Sequence, residues 1–153
     1  MSARYLVVDG HSVIFSWPEL RALHGRNRAA ARQALATQLQ HLHDTTPWRV
    51  TLILDGKLGS AVSTGSSRRT AGMVISYATA NQTADSIIER LVAASGRARE
   101  ILVITADEAE KTTVEALGAA TASPTWLRET LDREGEAFNA EMARVHHSAR
   151  WKR

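Results

Sequence analysis

The residues of this chain best suited to chemistry are four aspartates, Asp9, Asp55, Asp85 and Asp107, with Glu89 near the third. Three of them follow short apolar runs: YLVV (residues 5–8) ends in Asp9-Gly10, VTLIL (50–54) in Asp55-Gly56, and ILVIT (101–105) leads to Asp107. Continuous apolar runs of this length suit strands buried on both faces, as in a parallel sheet. In open parallel sheets ligands bind in the crevice beyond the carboxyl ends of the strands, so these carboxylates can converge although they are distant in sequence. Asp85 falls in the first turn of a helix expected over 83–95, where an acid suits the dipole. Glu89 follows one turn later on the same side. Carboxylates crowded into one cleft repel one another unless a cation sits among them. Hard oxygen ligands suit magnesium or manganese. Such an ion polarises a phosphodiester, lowers the pKa of a bound water and stabilises the leaving oxygen, which is the chemistry of phosphodiester hydrolysis. Each acid also has a plainer reading. Asp-Gly is a common turn dipeptide, Asp85 suits a helix start, and Asp107 suits the N-cap of a helix over 108–117.

The elements that must position these acids alternate. Residues 73–77, MVISY, read as a fourth strand. A helix over 27–43 places Ala31, Leu35, Leu39 and Leu42 on one face, with Pro47 beyond its end. The 83–95 helix carries Ile87, Ile88, Leu91 and Val92 in a stripe, and Gly96 follows as a stop. Ser123-Pro124 signals the start of a further helix carrying Trp126, Leu127 and Leu131. Phe138, Met142 and Val145 are spaced to extend a helix past Glu136 into a basic tail. Strands alternating with helices predict a doubly wound α/β sandwich with a mainly parallel sheet. Residues 56–72, GKLGSAVSTGSSRRTAG, read as a mobile loop.

Composition bounds the setting. A chain of 153 residues suits one domain. It contains no cysteine, which excludes disulfides and cysteine-ligated zinc and suits a reducing compartment. The apolar run near the N-terminus is too short for a signal segment or a membrane span, so a soluble, cytoplasmic protein is expected. The net charge of +3 permits a nucleic-acid partner without demanding one.

Several motifs together resemble a known family. YLVVDGHSVIFSWPEL is similar to the first strand and loop of YacP-like NYN domains, which belong to the wider PIN-like nuclease group. VTLILDG matches the family's second strand, and NQTADSIIERLV its Thr-Ala-Asp helix start with a glutamate one turn on. ILVITAD matches its strand ending in Thr/Ser-x-Asp, and SPTWLRETL its last helix. The resemblance spans roughly residues 4–136. It implies a Rossmann-like three-layer α/β/α sandwich over residues 1–136, with 137–153 as a basic C-terminal extension, helical or frayed. It further implies metal-dependent RNA cleavage, with ribosome-associated mRNA as the substrate of one relative type. Carried over, the catalytic acids are Asp9, Asp55, Asp85 and Asp107, and Asp9, Asp85, Asp107 and Glu89 are the metal-binding set. Ser12 and Asn81 match substrate-side positions. The family's usual Tyr-Asn after the first Asp-Gly is His11-Ser12 here. Ser12 can still donate or accept a hydrogen bond but lacks the paired geometry of an amide.

RNA is then expected across the strand C-terminal rim, with Arg68, Arg69 and Lys57 gripping phosphates from the loop. Trp17 suits either base stacking or burial under the first loop, and Trp48 and Trp126 suit packing. By analogy with PIN-like nucleases, hydrolysis would leave a 5′-phosphate and a 3′-hydroxyl. The rival reading is a non-catalytic RNA- or ribosome-binding module. DNA as substrate is a further alternative. A phosphate enzyme of the dinucleotide or P-loop type is disfavoured, because neither G-x-G-x-x-G nor G-x-x-x-x-G-K-[ST] occurs.

Overall fold

The computed structural model describes the backbone of residues 4–56, 67–70, 72–79 and 81–151, and their side chains except at 67–70, 138 and 146–151. The four apolar runs form β1 (Tyr5–Asp9), β2 (Arg49–Leu54), β4 (Met73–Tyr77) and β5 (Ile101–Ile104). Two short strands complete the sheet, β3 (Ser67–Thr70) and β6 (Ala120–Ala122), in the order β3-β4-β2-β1-β5-β6. All neighbours pair in parallel except β3, which runs antiparallel to β4 at the edge. The mainly parallel sheet expected from the sequence is therefore present.

The strands alternate their apolar residues between two helical layers. Leu6, Val8, Leu52 and Leu54 face α1 (Gly10–Ser16), α2 (Pro18–Arg26), α3 (Arg28–Thr45) and the start of α6 (Pro124–Trp151). Val7, Ile53 and Val103 face α4 (Ala84–Ser95) and α5 (Glu108–Ala116). The α3 stripe Ala31, Leu35, Leu39 and Leu42 is fully buried. Thr83 caps α4 in a reciprocal capping box with Ser86, and Gly96 ends it in the left-handed region at φ 67°. Among the described residues, no helix is long and apolar enough to cross a membrane.

The structure departs from the sequence expectation in two places. Residues 67–70, expected in a loop, form strand β3, where Arg68 pairs with Ile75 and Arg69 with Val74. Their backbone is thus fixed to the sheet edge. Residues 57–66, including Lys57, lie outside the described residues. Residues 10–26, to which no helix was assigned, form α1 and α2. The helix expected to extend past Glu136 does so, and α6 runs unbroken to Trp151. Trp17 is buried, and its indole N–H donates to the Pro124 carbonyl at 3.0 Å. It is a packing residue and offers no face to a base.

The sheet fixes where a site can form. The chain leaves β1 for β2 and β4 on one side, then returns to β5 on the other side of β1. The β1–β5 boundary is a topological switch point, where the crossover helices diverge and leave a crevice. Asp9 closes β1 at that boundary, and Gly10 begins α1 directly after it. A Cβ on Gly10 would meet Leu54 Cδ2 at 2.6 Å and the Ile53 carbonyl oxygen at 3.0 Å. The glycine is needed for this close approach to β2. Gly10→Ala is expected to destabilise the fold by about 1–3 kcal/mol, read as a lower midpoint of thermal or urea unfolding. An unchanged midpoint would show that α1 can shift away from β2 without loss.

Candidate metal centre

Three carboxylates meet at the crevice: Asp9 from the end of β1, Asp85 from the first turn of α4 and Glu110 from the first turn of α5. One oxygen from each lies within 4.8 Å of the others. Asp9 is 4% exposed and Glu110 2%, while Asp85 is half-buried and marks the open side.

Two hydroxyls hold the buried pair in place. Ser12 Oγ donates to Asp9 Oδ2 at 2.9 Å and accepts from the Ala106 amide at 3.1 Å. Thr105 Oγ1 accepts from the Asp107 amide at 3.1 Å and lies 2.9 Å from Glu110 Oε2 and 3.3 Å from Asp9 Oδ2. A hydroxyl has one proton, and the shorter contact assigns it to Glu110. Ser12 and Thr105 thereby tie β1, α1 and the β5–α5 turn into one frame around the acids.

The electrostatics show a site short of positive charge. Burial, a hydrogen bond shared with Asp85 and the Asp9 charge push the Glu110 carboxyl up to about 9. Burial also raises Asp9, against the pull of its hydrogen bonds from Ser12 and Glu110. Near neutral pH the cluster therefore retains a proton, held chiefly by Glu110. Once Glu110 is ionised, its Oε1 is buried with no hydrogen-bond donor. Such an atom calls for a partner, and a cation would supply one to all three acids. Oxygens around magnesium lie at about 2.0–2.1 Å from the ion, so pairs of them stand about 3–4 Å apart. The three acids, with oxygens within 4.8 Å of one another, need only a small inward adjustment to surround such an ion, and an all-oxygen set suits a hard divalent cation.

The remaining candidates lie around this set. Asp55 Oδ1 accepts from the Ala84 amide at 2.9 Å, and Asp55 Oδ2 is 4.0 Å from His11 Nδ1. Asp55 thus fastens the start of α4 beside Asp85. Arg32 Nη2 donates to the Asp55 carbonyl at 2.6 Å and steadies the turn. Gly56 follows at φ 49°, as a turn glycine should. Asp107 is exposed, and its Oδ1 accepts from the Ala109 and Glu110 amides at 2.9 and 3.2 Å. It is the N-cap of α5 and stands outside the three-acid set. Glu89 is half-buried on α4 and also outside that set. Asn81 is exposed in the turn before α4. The side chains of Arg68 and Arg69 and the whole of Lys57 lie outside what is described.

Glu110 was not legible as a site residue. Three positions after a capping aspartate, a glutamate reads as half of a capping box. In the structure its side chain points instead to Thr105 and the acids. The available signal was the strand-end Thr105 with an acid five residues on, one helical turn inside the crevice.

A sequence profile described as the YacP-like NYN domain matches residues 6–153. The uncharacterized protein YacP of Bacillus subtilis (strain 168) is 29% identical over 115 residues, 74% of this chain and 66% of the relative. The chain thus spans just under two thirds of that relative's length. Two crystal structures of Rae1 (YacP) from Bacillus subtilis share the fold. One matches with a TM-score of 0.79 at 23% identity, over 95% of this chain and 83% of the other. The second, of a mutant, matches with a TM-score of 0.76 at 24% identity, over 93% and 83%.

Proposed function

The chain belongs to the YacP-like NYN domain family, and we propose that it is a divalent-metal-dependent endoribonuclease that hydrolyses RNA phosphodiester bonds, with ribosome-bound mRNA as one candidate substrate. The observation that carries this reading is the meeting of the buried Asp9 and Glu110 carboxyls with Asp85, one oxygen of each within 4.8 Å of the others. Burying like charges together is unfavourable unless the site has a cation to hold.

Asp9, Asp85 and Glu110 would hold magnesium or manganese, and the ion, when bound, supplies Lewis-acid polarisation of the phosphate and a more acidic water. The protein's own part is positional. Ser12 and Thr105 fix the oxygens of Asp9 and Glu110 before substrate arrives. Asp55 pins the α4 N-terminus and so sets Asp85 at the solvent side, where a phosphodiester can enter. Asp107 keeps α5, and with it Glu110, in register by capping. Glu89 and Asn81 stand on and before α4, where they can meet substrate rather than share the central ion. Ser12, in place of the family's asparagine, is engaged by Asp9 and Ala106. That engagement favours a working site over a purely binding module.

The test is incubation of labelled single-stranded RNA and DNA with the chain and its Asp9→Asn variant, with and without manganese. Cleavage of RNA by the unaltered chain only, and only with the ion, is the expected result. Manganese-independent cleavage, or equal cleavage by the variant, would overturn the assignment. RNA binding without any cleavage would favour the non-catalytic module.

A further inference from the structure

Beside the acid cluster a line of rings leaves the rim along α1 and α2. His11, 4.0 Å from Asp55 through its Nδ1, stacks on Phe15 with ring centroids 4.4 Å apart at 37°. Phe15 in turn meets His24 edge-on at 4.8 Å. Phe15 is 39% exposed, a large apolar side chain left open on the surface. It borders a cleft of about 460 Å³, which Pro18, Arg21 and Gly25 also line.

This surface is strongly basic. Arg21, Arg26 and Arg28 are exposed and carry no ion pair among the described residues. Glu19 is the one acid between residues 18 and 43, and it is held by Arg128. Burial together with the charges of Arg28 and Arg32 holds His24 below its ordinary range. Aromatic faces with flanking arginines are the combination that binds unpaired strands: the rings stack on bases, and the cations meet phosphates.

We propose that the His11–Phe15–His24 ladder with Arg21 and Arg28 is a subsite for an unpaired polynucleotide strand, which seats a base on Phe15 and leads the backbone to the acid cluster. The subsite rests on the nuclease reading above and adds to it the path of the strand and its single-stranded character. A duplex, whose bases present no free face, would not use the ladder.

Binding of a fluorescent single-stranded oligonucleotide to the full chain tests this, measured by anisotropy in EDTA so that no cleavage intrudes. Phe15→Ala is expected to weaken binding about five- to twentyfold, and Phe15→Trp to retain it. Arg21→Gln with Arg28→Gln is expected to weaken binding and to flatten the dependence of log K on log salt by about 0.7 for each arginine. Arg99→Gln, on the opposite rim before β5, is expected to change neither. The losses should appear on RNA and DNA alike, because neither stacking nor phosphate contact reads the 2′-hydroxyl. If the unaltered chain binds and cleaves but Phe15→Ala binds as tightly, the subsite falls and the nuclease reading stands. If the unaltered chain neither binds nor cleaves, both fall.

Discussion

Glu110→Gln is expected to make the cation-free protein more stable at pH 8 while removing its response to manganese. The sign follows from proton linkage. The folded-state carboxyl titrates at about 9, above the ordinary glutamate value of 4.5. Between those values the unfolded chain binds fewer protons than the folded one at this position. Stability of the cation-free protein must therefore fall as pH rises through that window. An isolated group would lose about 1.4 kcal/mol per pH unit there. Asp9 is raised together with Glu110, so the two titrate as a pair and the gain from glutamine at pH 8 is set lower, at about 2 kcal/mol. For a chain of this length that raises the melting temperature by about 4–8 °C. Near pH 4.5 the two proteins should converge. Manganese should reverse the order at pH 8, because the ion replaces the proton on the native carboxyl and has no third charge to bind in the variant. Melting curves at pH 5 and pH 8, with manganese or with EDTA, decide the matter. A native protein that gains no stability from manganese at pH 8 would show that the cluster is not a metal site.

The same residue shows why the fold was more legible than the site. Buried parallel strands are written as continuous apolar runs, so β1, β2, β4 and β5 could be read directly. The stripe of α3 and the stripe and Gly96 stop of α4 were equally plain. What failed to show is what tertiary contact decides. Seven-residue α1 is too short for a helical period; it forms because Asp9 caps it and Gly10 lets it lie against β2. β3 carries the polar sequence SRRT and exists only through its pairing with β4. β6 is three small residues held beside β5. Site residues suffer more, because an acid serves equally as ligand, cap or charge. Asp9 and Asp85 could be placed from strand ends and helix starts. Whether Asp107 or Glu110 turns inward depends on side-chain direction within one turn, which local sequence does not encode.

Asp9→Asn and Asp107→Asn separate those roles. Asp9 supplies a buried carboxylate to the three-acid set, so the amide should lower manganese-dependent cleavage by about 10³-fold, the weight of several kcal/mol of lost charge stabilisation. The fold should survive. Asparagine caps a helix as well as aspartate does, its oxygen can still accept from Ser12, and removing one buried charge relieves Glu110. The cation-free melting temperature should therefore hold or rise. Asp107 instead spends one oxygen on the Ala109 and Glu110 amides, a task asparagine performs equally. Asp107→Asn should keep cleavage within about threefold, since only an exposed charge near the site is lost. Asp107→Ala should cost about 1 kcal/mol of stability through the lost cap, and it should lower activity only as far as α5 carries Glu110 out of place. Cleavage rates and manganese titrations on the three variants give the answer. Should Asp107→Asn lose activity and manganese affinity as completely as Asp9→Asn, Asp107 would have to leave the cap and join the ligand set when the ion binds. The β5–α5 turn would then be a moving part of the centre rather than its frame.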